Sequence, residues 1–490
     1  MLAAFPPAAG VALTPRAASA EPGRQAPVRR ALSVQPILLY NLHPPRPQTS
    51  YRPWGGLITA ADAAAERERI GRELATMVRQ ADFPLECQPL AEAGSPEQAA
   101  AAAQGAHDVT LLYGASGSVK TLEAAAAAKP WNLLFVRHRS GPVYLWYEIA
   151  HARFLRKTVD EFGQPGMDVD DVIVDRYDAV LSRLRAFSAL KNTLGKRVVA
   201  VGGPSGWGAG GRKAPDISRS LWKLDLQDVS YDELGKRIVR ARQDTARVKR
   251  ARSLAAKYLN SPGVSLETGR AFVDQAFLLR DVFQQLLDEA QTDAITINNC
   301  MSTIMPMSET TACLPLSLLN DDGYLAFCES DFVVVPSGIL LHYLSGKPVF
   351  LNDPTYPHDG IVTLAHCTAP RRMDGVRDEP VRLLTHFESD YGAAPKVEMA
   401  RGTVLTNLIP DFDCKKWVGF RGEVVDAPFL PICRSQIDVA IEGDQDRLLR
   451  EHGGFHWMTG YGDYLQEAGY ALRKLGVGWL NLSKPGAQVT

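Results

Sequence analysis

The stretches DVTLLYG (Asp108–Gly114), WNLLFVR (Trp131–Arg137) and RVVAVGG (Arg197–Gly203) decide the fold. Each is a short, nearly unbroken apolar run and not an alternation of apolar with polar residues. Each therefore predicts a strand buried on both faces. Helical patterns lie around them, from Ala60 to Arg79 and from Tyr177 to Leu194. Strands of this type alternating with helices predict βαβ units around a parallel sheet. PILLYNL (Pro36–Leu42) and DVIV (Asp171–Val174) extend the pattern, and RVVAVGG is expected to close the unit. The glycines of Gly114–Gly117 and Gly202–Gly211 follow strands, where backbone N–H groups can meet a ligand. Neither run matches a dinucleotide or P-loop fingerprint.

Beyond this unit, Trp222–Leu226 is strand-like, Tyr231–Lys257 and Phe272–Glu289 are helical in pattern, and DAITINN (Asp293–Asn299) predicts another strand. From about Asp331 the texture changes. Phe332–Pro336, Pro348–Asn352, Gly360–Ala365, Gly402–Leu405 and Ile437–Ile441 are short β-like pieces separated by Gly, Pro and Asp, which predicts a strand-rich domain. The expected organisation is a tail or export-signal remnant over residues 1–33, an N-terminal α/β domain over 34–215, a middle α/β domain over 216–345 and a C-terminal β-rich domain over 346–490.

Composition narrows the function classes. A chain of 490 residues is too long for one ordinary core, in agreement with several domains. With 54 basic and 55 acidic residues the formal charge is -1, and the short basic run Arg240–Arg252 reads as a solvated helix face, so no nucleic-acid partner is expected. No run of 18 apolar residues exists, so no spanning helix is expected. The expected compartment is the cytoplasm. Export is the alternative, because Arg16–Ala20 resembles a signal-peptidase site although the basic segment that should precede it is missing. The 7 cysteines form no CxxC pair, and small buried hydrophobes are their default reading.

Acidic and histidine side chains collect in the second half: Glu309, Glu329, Asp331, His358, His366, His386 and His456. Two carboxylates with one or two histidines suit a divalent cation such as Mn2+, Co2+, Zn2+ or Mg2+. Each residue has a structural alternative. Glu309 can serve a helix N-terminus, the Cys328–Asp331 run can cap the expected strand Phe332–Pro336, and His366 can be a satisfied core histidine. Five tryptophans, Trp54, Trp207, Trp222, Trp417 and Trp457, sit in expected loops or segment ends, where a sugar ring can stack.

Through Glu309, Cys328–Asp331, His366 and the loop Gly453–Trp457, the chain resembles the L-fucose/L-arabinose isomerase superfamily. The likeness runs from about Pro36 to Gly476 and includes WKLDLQDV (Trp222–Val229). The resemblance implies two Rossmann-like α/β/α domains followed by a β-barrel-like domain, in a homo-oligomer of three or six subunits. It implies aldose–ketose isomerisation of a small-molecule carbohydrate through a cis-enediol(ate) on a Mn2+-type metal. Carried over by position, Glu309, Asp331, His366 and His456 would be metal ligands, with Glu309 and Asp331 or Glu329 as proton carriers. Both Glu329 and Asp331 stand where the family has one ligand; Asp331 is favoured because it directly precedes the expected strand. Substrate contacts are expected from Arg52, Trp54, His358, His386 and Trp457. Epimerisation, retro-aldol cleavage and non-catalytic carbohydrate binding are the alternatives on the same scaffold.

Overall fold

A computed structural model describes residues 29–42, 47, 55–150, 154–155 and 167–490, so the expected substrate contacts Arg52 and Trp54 lie outside the described residues. The first region carries β1 (Leu32–Leu39), β2 (Leu85–Cys87), β3 (Ala91–Ala93), β4 (Val109–Gly114), β5 (Asn132–Val136) and β6 (Val172–Val174). All pair in parallel, in the order β2-β1-β4-β5-β6 with β3 beside β1. Every residue of β4 and β5 is buried, as unbroken apolar runs require. β1 begins at Leu32, inside the expected tail, because Leu32 is fully buried beside Leu85 of β2.

The second region carries β7 (Arg197–Val201), β8 (Asp225–Val229), β9 (Val264–Leu266), β10 (Ala294–Ile297) and β11 (Leu325–Phe327). β11-β10-β7-β8 form a second parallel sheet. Arg197–Gly203 therefore does not close the first unit. Val198–Val201 are buried between β8 and β10 of the second sheet, and in the chain the helix Tyr177–Thr193 runs between β6 and β7.

The third region carries β12 (Phe350–Pro354), β13 (Ile361–His366), β14 (Val381–His386), β15 (Tyr391–Val397), β16 (Val404–Pro410), β17 (Lys416–Asp426), β18 (Ser435–Glu442), β19 (Trp457–Tyr461) and β20 (Gly478–Asn481). The ladder β16-β19-β12-β13-β18-β17 returns to β16, giving a closed antiparallel barrel of six strands, with β20 added in parallel on β17. Closure removes the exposed edges that short strands would otherwise leave. β15, β14 and β9 make a small separate sheet.

The expected strand over Phe332–Pro336 is absent. Phe332–Pro336 opens the helix Val335–Ser345 instead. The side chain of Asp331 accepts from the Val333 N–H, and its carbonyl accepts from the N–H groups of Val334 and Val335, which starts a helix. A buried apolar run alone does not distinguish the two states. Among the described residues no helix is long and apolar enough to cross a membrane.

Candidate metal centre

The chain after β11 turns sharply through Cys328–Asp331, at the carboxyl end of the second parallel sheet, where open α/β sheets place ligands. Glu329 has φ 67° and Ser330 φ 46°. Two consecutive non-glycine residues in the left-handed region cost energy, and such positions persist where surrounding structure holds them. The glycine-rich loop after β7 supplies the hold. Ser205 donates its N–H to Ser330 O at 3.1 Å and accepts at 3.0 Å from Phe332 N–H. The loop itself is tightly folded: a Cβ on Gly206 would lie 2.0 Å from Gly211 O.

The barrel delivers the other groups from three adjacent strands. Asp353 lies on β12, His366 ends β13 and His456 directly precedes β19. Asp353 pairs in register with Ala365, the residue before His366. The Gly453-Gly454 pair lets the β19 loop pass close to β16, since a Cβ on Gly454 would lie 2.1 Å from Pro410 O.

These elements bring Glu329, Asp331, Asp353, His366 and His456 together. His456 is 1% exposed. Its Nδ1 lies 2.7 Å from Asp331 Oδ2. The other oxygen, Oδ1, accepts from Trp207 N–H at 3.0 Å and from Val333 N–H at 3.1 Å. Both Asp331 oxygens are thus occupied, and the residue is 1% exposed. His456 Nε2 is 3.2 Å from Asp353 Oδ1 and 3.3 Å from Glu329 Oε2. Yet neither this nitrogen nor Asp353 Oδ1 makes a hydrogen bond, although both are buried. His366 Nδ1 is 3.0 Å from Thr368 Oγ1, and its Nε2 is 3.7 Å from Glu329 Oε1. The Cys328 thiol, with Glu329 and His366, offers ligand atoms within 4.8 Å of one another.

The electrostatics match this arrangement. Burial opposes a charge on His456, but the carboxylates of Asp331, Asp353 and Glu329 raise its pKa to about 11. Burial likewise opposes ionising Glu329, and the imidazoles of His366 and His456 hold its carboxyl well below the usual range. Three carboxylates around two histidines make a pocket that favours positive charge. Ligand atoms on a cation with bonds of 2.0–2.2 Å sit roughly 3 Å apart. His456 Nε2 already has about that spacing from both Glu329 Oε2 and Asp353 Oδ1.

The remaining expected site residues lie elsewhere. Glu309 is exposed, has φ 55° and pairs with Arg242, Oε1 to Nη1 at 3.1 Å. His358 is exposed and faces its neighbour Asp359 at 3.1 Å. Trp457 is 1% exposed and packs edge-on against Phe420 inside the barrel, which leaves no face for a sugar. Trp222 and Trp417 are a buried pair with centroids 5.4 Å apart. His386 is buried beside Cys313 and Cys367.

An accessible aromatic surface beside His456 is the pair Trp207 and Phe455, stacked at 4.5 Å and 7° and exposed to 41% and 40%. Both rings meet the His456 ring edge-on, at 5.0 and 4.9 Å. Asp353 was missed in the sequence; the only signal was an acidic residue between a buried strand and Pro354. No protein-family model matches the chain, and no curated protein matches it.

Proposed function

We propose that this chain is a divalent-metal-dependent isomerase that interconverts aldose and ketose forms of a monosaccharide or sugar derivative through a cis-enediol(ate). The observation that carries the reading is His456: its Nδ1 is fixed by Asp331, and its buried Nε2, free of hydrogen bonds, meets Asp353 and Glu329. Metal-binding histidines are held in this way, with a carboxylate on the second ring nitrogen. Glu329, Asp353, His366 and His456 would hold the cation, and their mixed oxygen and nitrogen donors suit Mn2+, with Co2+, Zn2+ and Mg2+ as alternatives. Asp331 is then a positioning residue and not a ligand.

A cation bound there would polarise a carbonyl and the hydroxyl beside it. The side chains of Glu329 and Asp353 are exposed to 33% and 30%, so they can reach a substrate and pass a proton between neighbouring carbons. The Trp207–Phe455 face offers a stacking surface for the apolar side of a sugar. We read the two parallel sheets as Rossmann-like domains, with the first boundary moved to the turn around Gly195 so that β7 belongs to the second. The choice of isomerisation over epimerisation or retro-aldol cleavage rests on the resemblance at Glu329, His366 and Gly453–Trp457.

The test is proton NMR of aldose and ketose pools in D2O with Mn2+-loaded protein. Interconversion with deuterium entering next to the carbonyl, lost in Glu329→Gln, supports the reading. Sugar binding without turnover, or cleavage to shorter products, overturns it in favour of a binding protein or a lyase.

A further inference from the structure

A second group of metal-ligating side chains adjoins the first without sharing a residue. Cys367 follows His366 in the chain, but its thiol meets different partners. Cys313 opens the helix Cys313–Asp321, His386 closes β14, and Cys433 lies in the loop before β18. The sulfurs of Cys313 and Cys367 and a ring nitrogen of His386 all lie within 4.8 Å of one another. The three residues are exposed to 4%, 2% and 7%. Cys433, half-buried, packs against the cluster that Cys313 and Cys367 form. All are free cysteines.

Packing alone accounts poorly for this cluster. Thiols are tolerated in a core, but a buried imidazole needs a partner, and His386 Nδ1 reaches Ser389 Oγ only at 3.5 Å, the outer limit of a hydrogen bond. The Arg434 N–H donates to Cys367 Sγ at 3.4 Å, the kind of outer contact that supports a metal-bound sulfur. A tetrahedral ion with sulfur bonds of about 2.3 Å and a nitrogen bond of about 2.0–2.1 Å needs ligand atoms roughly 3.5–3.8 Å apart, inside the 4.8 Å within which the atoms of Cys313, Cys367 and His386 lie.

We propose that Cys313, Cys367, Cys433 and His386 form a closed structural site for a zinc ion. The ion ties a helix beside the second parallel sheet to the end of barrel strand β13 and to the small sheet containing β14. It would thereby fix His366, one residue from Cys367, for the neighbouring oxygen-rich centre. Soft thiolates select Zn2+ at this site, while the carboxylates of the other centre suit harder cations.

Two measurements test it. Zinc-edge X-ray absorption on wild-type protein, purified under reducing conditions and loaded with Zn2+ alone, is expected to show sulfur as the main ligand with nitrogen beside it. Co2+-substituted protein is expected to show a sulfur-to-cobalt charge-transfer band that Cys367→Ser or Cys433→Ser abolishes and Glu329→Gln and Cys328→Ser leave intact. A spectrum with only oxygen and nitrogen ligands overturns the proposal. So does a thiolate band lost in Cys328→Ser instead, or a Cys367–Cys433 disulfide in the reduced, zinc-loaded protein.

Discussion

At Ser330 two unfavourable features coincide: a φ of 46° and a hydroxyl that is fully buried with no hydrogen bond. Ser330→Gly removes both while adding disorder to the unfolded chain, so a net gain of about 1 kcal/mol is expected in urea unfolding. A loss of stability would mean that the hydroxyl has a partner of its own. Asp331 acts through His456. Asp331→Asn preserves shape but supplies a weaker acceptor, so Mn2+ affinity is expected to fall roughly 10- to 100-fold in a folded protein. Trp207→Ala should leave cation affinity within a few-fold and raise KM for the sugar, because only the stacking face is lost. At this scale the sequence was legible as a neighbourhood. Glu329, Asp331, His366 and His456 were all named, but roles depend on which oxygen faces which nitrogen. Asp331 directly precedes an apolar run whether that run is a strand or a helix. Which carboxylate turns toward His456 Nε2 follows from the left-handed turn at Glu329.

At the scale of elements, the helix Ala60–Gln80 is tied to β5 by a buried pair, Glu66 with Arg137, both side chains fully excluded from solvent. Glu66→Ala leaves that guanidinium with Glu73 as its remaining carboxylate, and a loss of about 3 kcal/mol is expected from the urea midpoint. The helix Val335–Ser345, whose leading turn is anchored on Asp331, carries a pH response. Burial pushes the His342 pKa down to about 4, while its Nδ1 lies 2.8 Å from Lys347 O. The unfolded chain binds a proton near pH 6.5 and the folded one does not until about 4, so stability is complete above the first value and declines as pH falls through the interval, by about 2–3 kcal/mol. His342→Gln should flatten the decline relative to wild type; equal slopes would contradict it. Strands buried on both faces, such as β4 and β5, were readable because composition alone marks them. β7 reads as a strand, but its place between β8 and β10 does not follow from an apolar run, which records burial and not its neighbour. β14, β15, β17, β19 and β20 were not read at all. β14 pairs with β15, and β17 pairs with β16 and β18, all sequence neighbours, so distance does not hide them. Their runs mix Gly, Pro and charged residues with apolar ones, and strand preference depends on context that such runs do not record.

For the whole molecule, a parallel sheet supplies Glu329 on a strained turn, and three neighbouring barrel strands supply Asp353, His366 and His456. The mixed α/β plan with a strand-rich end was legible because its texture changes near Asp331. Closure of the barrel was not, because it rests on the single return pairing of β16 with β17. The expected first ligand, Glu309, is held by Arg242, whereas Asp353 stands among the cluster. The measurement that bears most directly on this account is calorimetric titration of Mn2+ into chelator-stripped wild type, Glu329→Gln and Glu309→Gln, with folding checked by circular dichroism. A centre held by Glu329, Asp353, His366 and His456 requires uptake of a single Mn2+ by wild type and by Glu309→Gln, and its loss in folded Glu329→Gln. Equal uptake by wild type and Glu329→Gln, or none by any of the three, would contradict it.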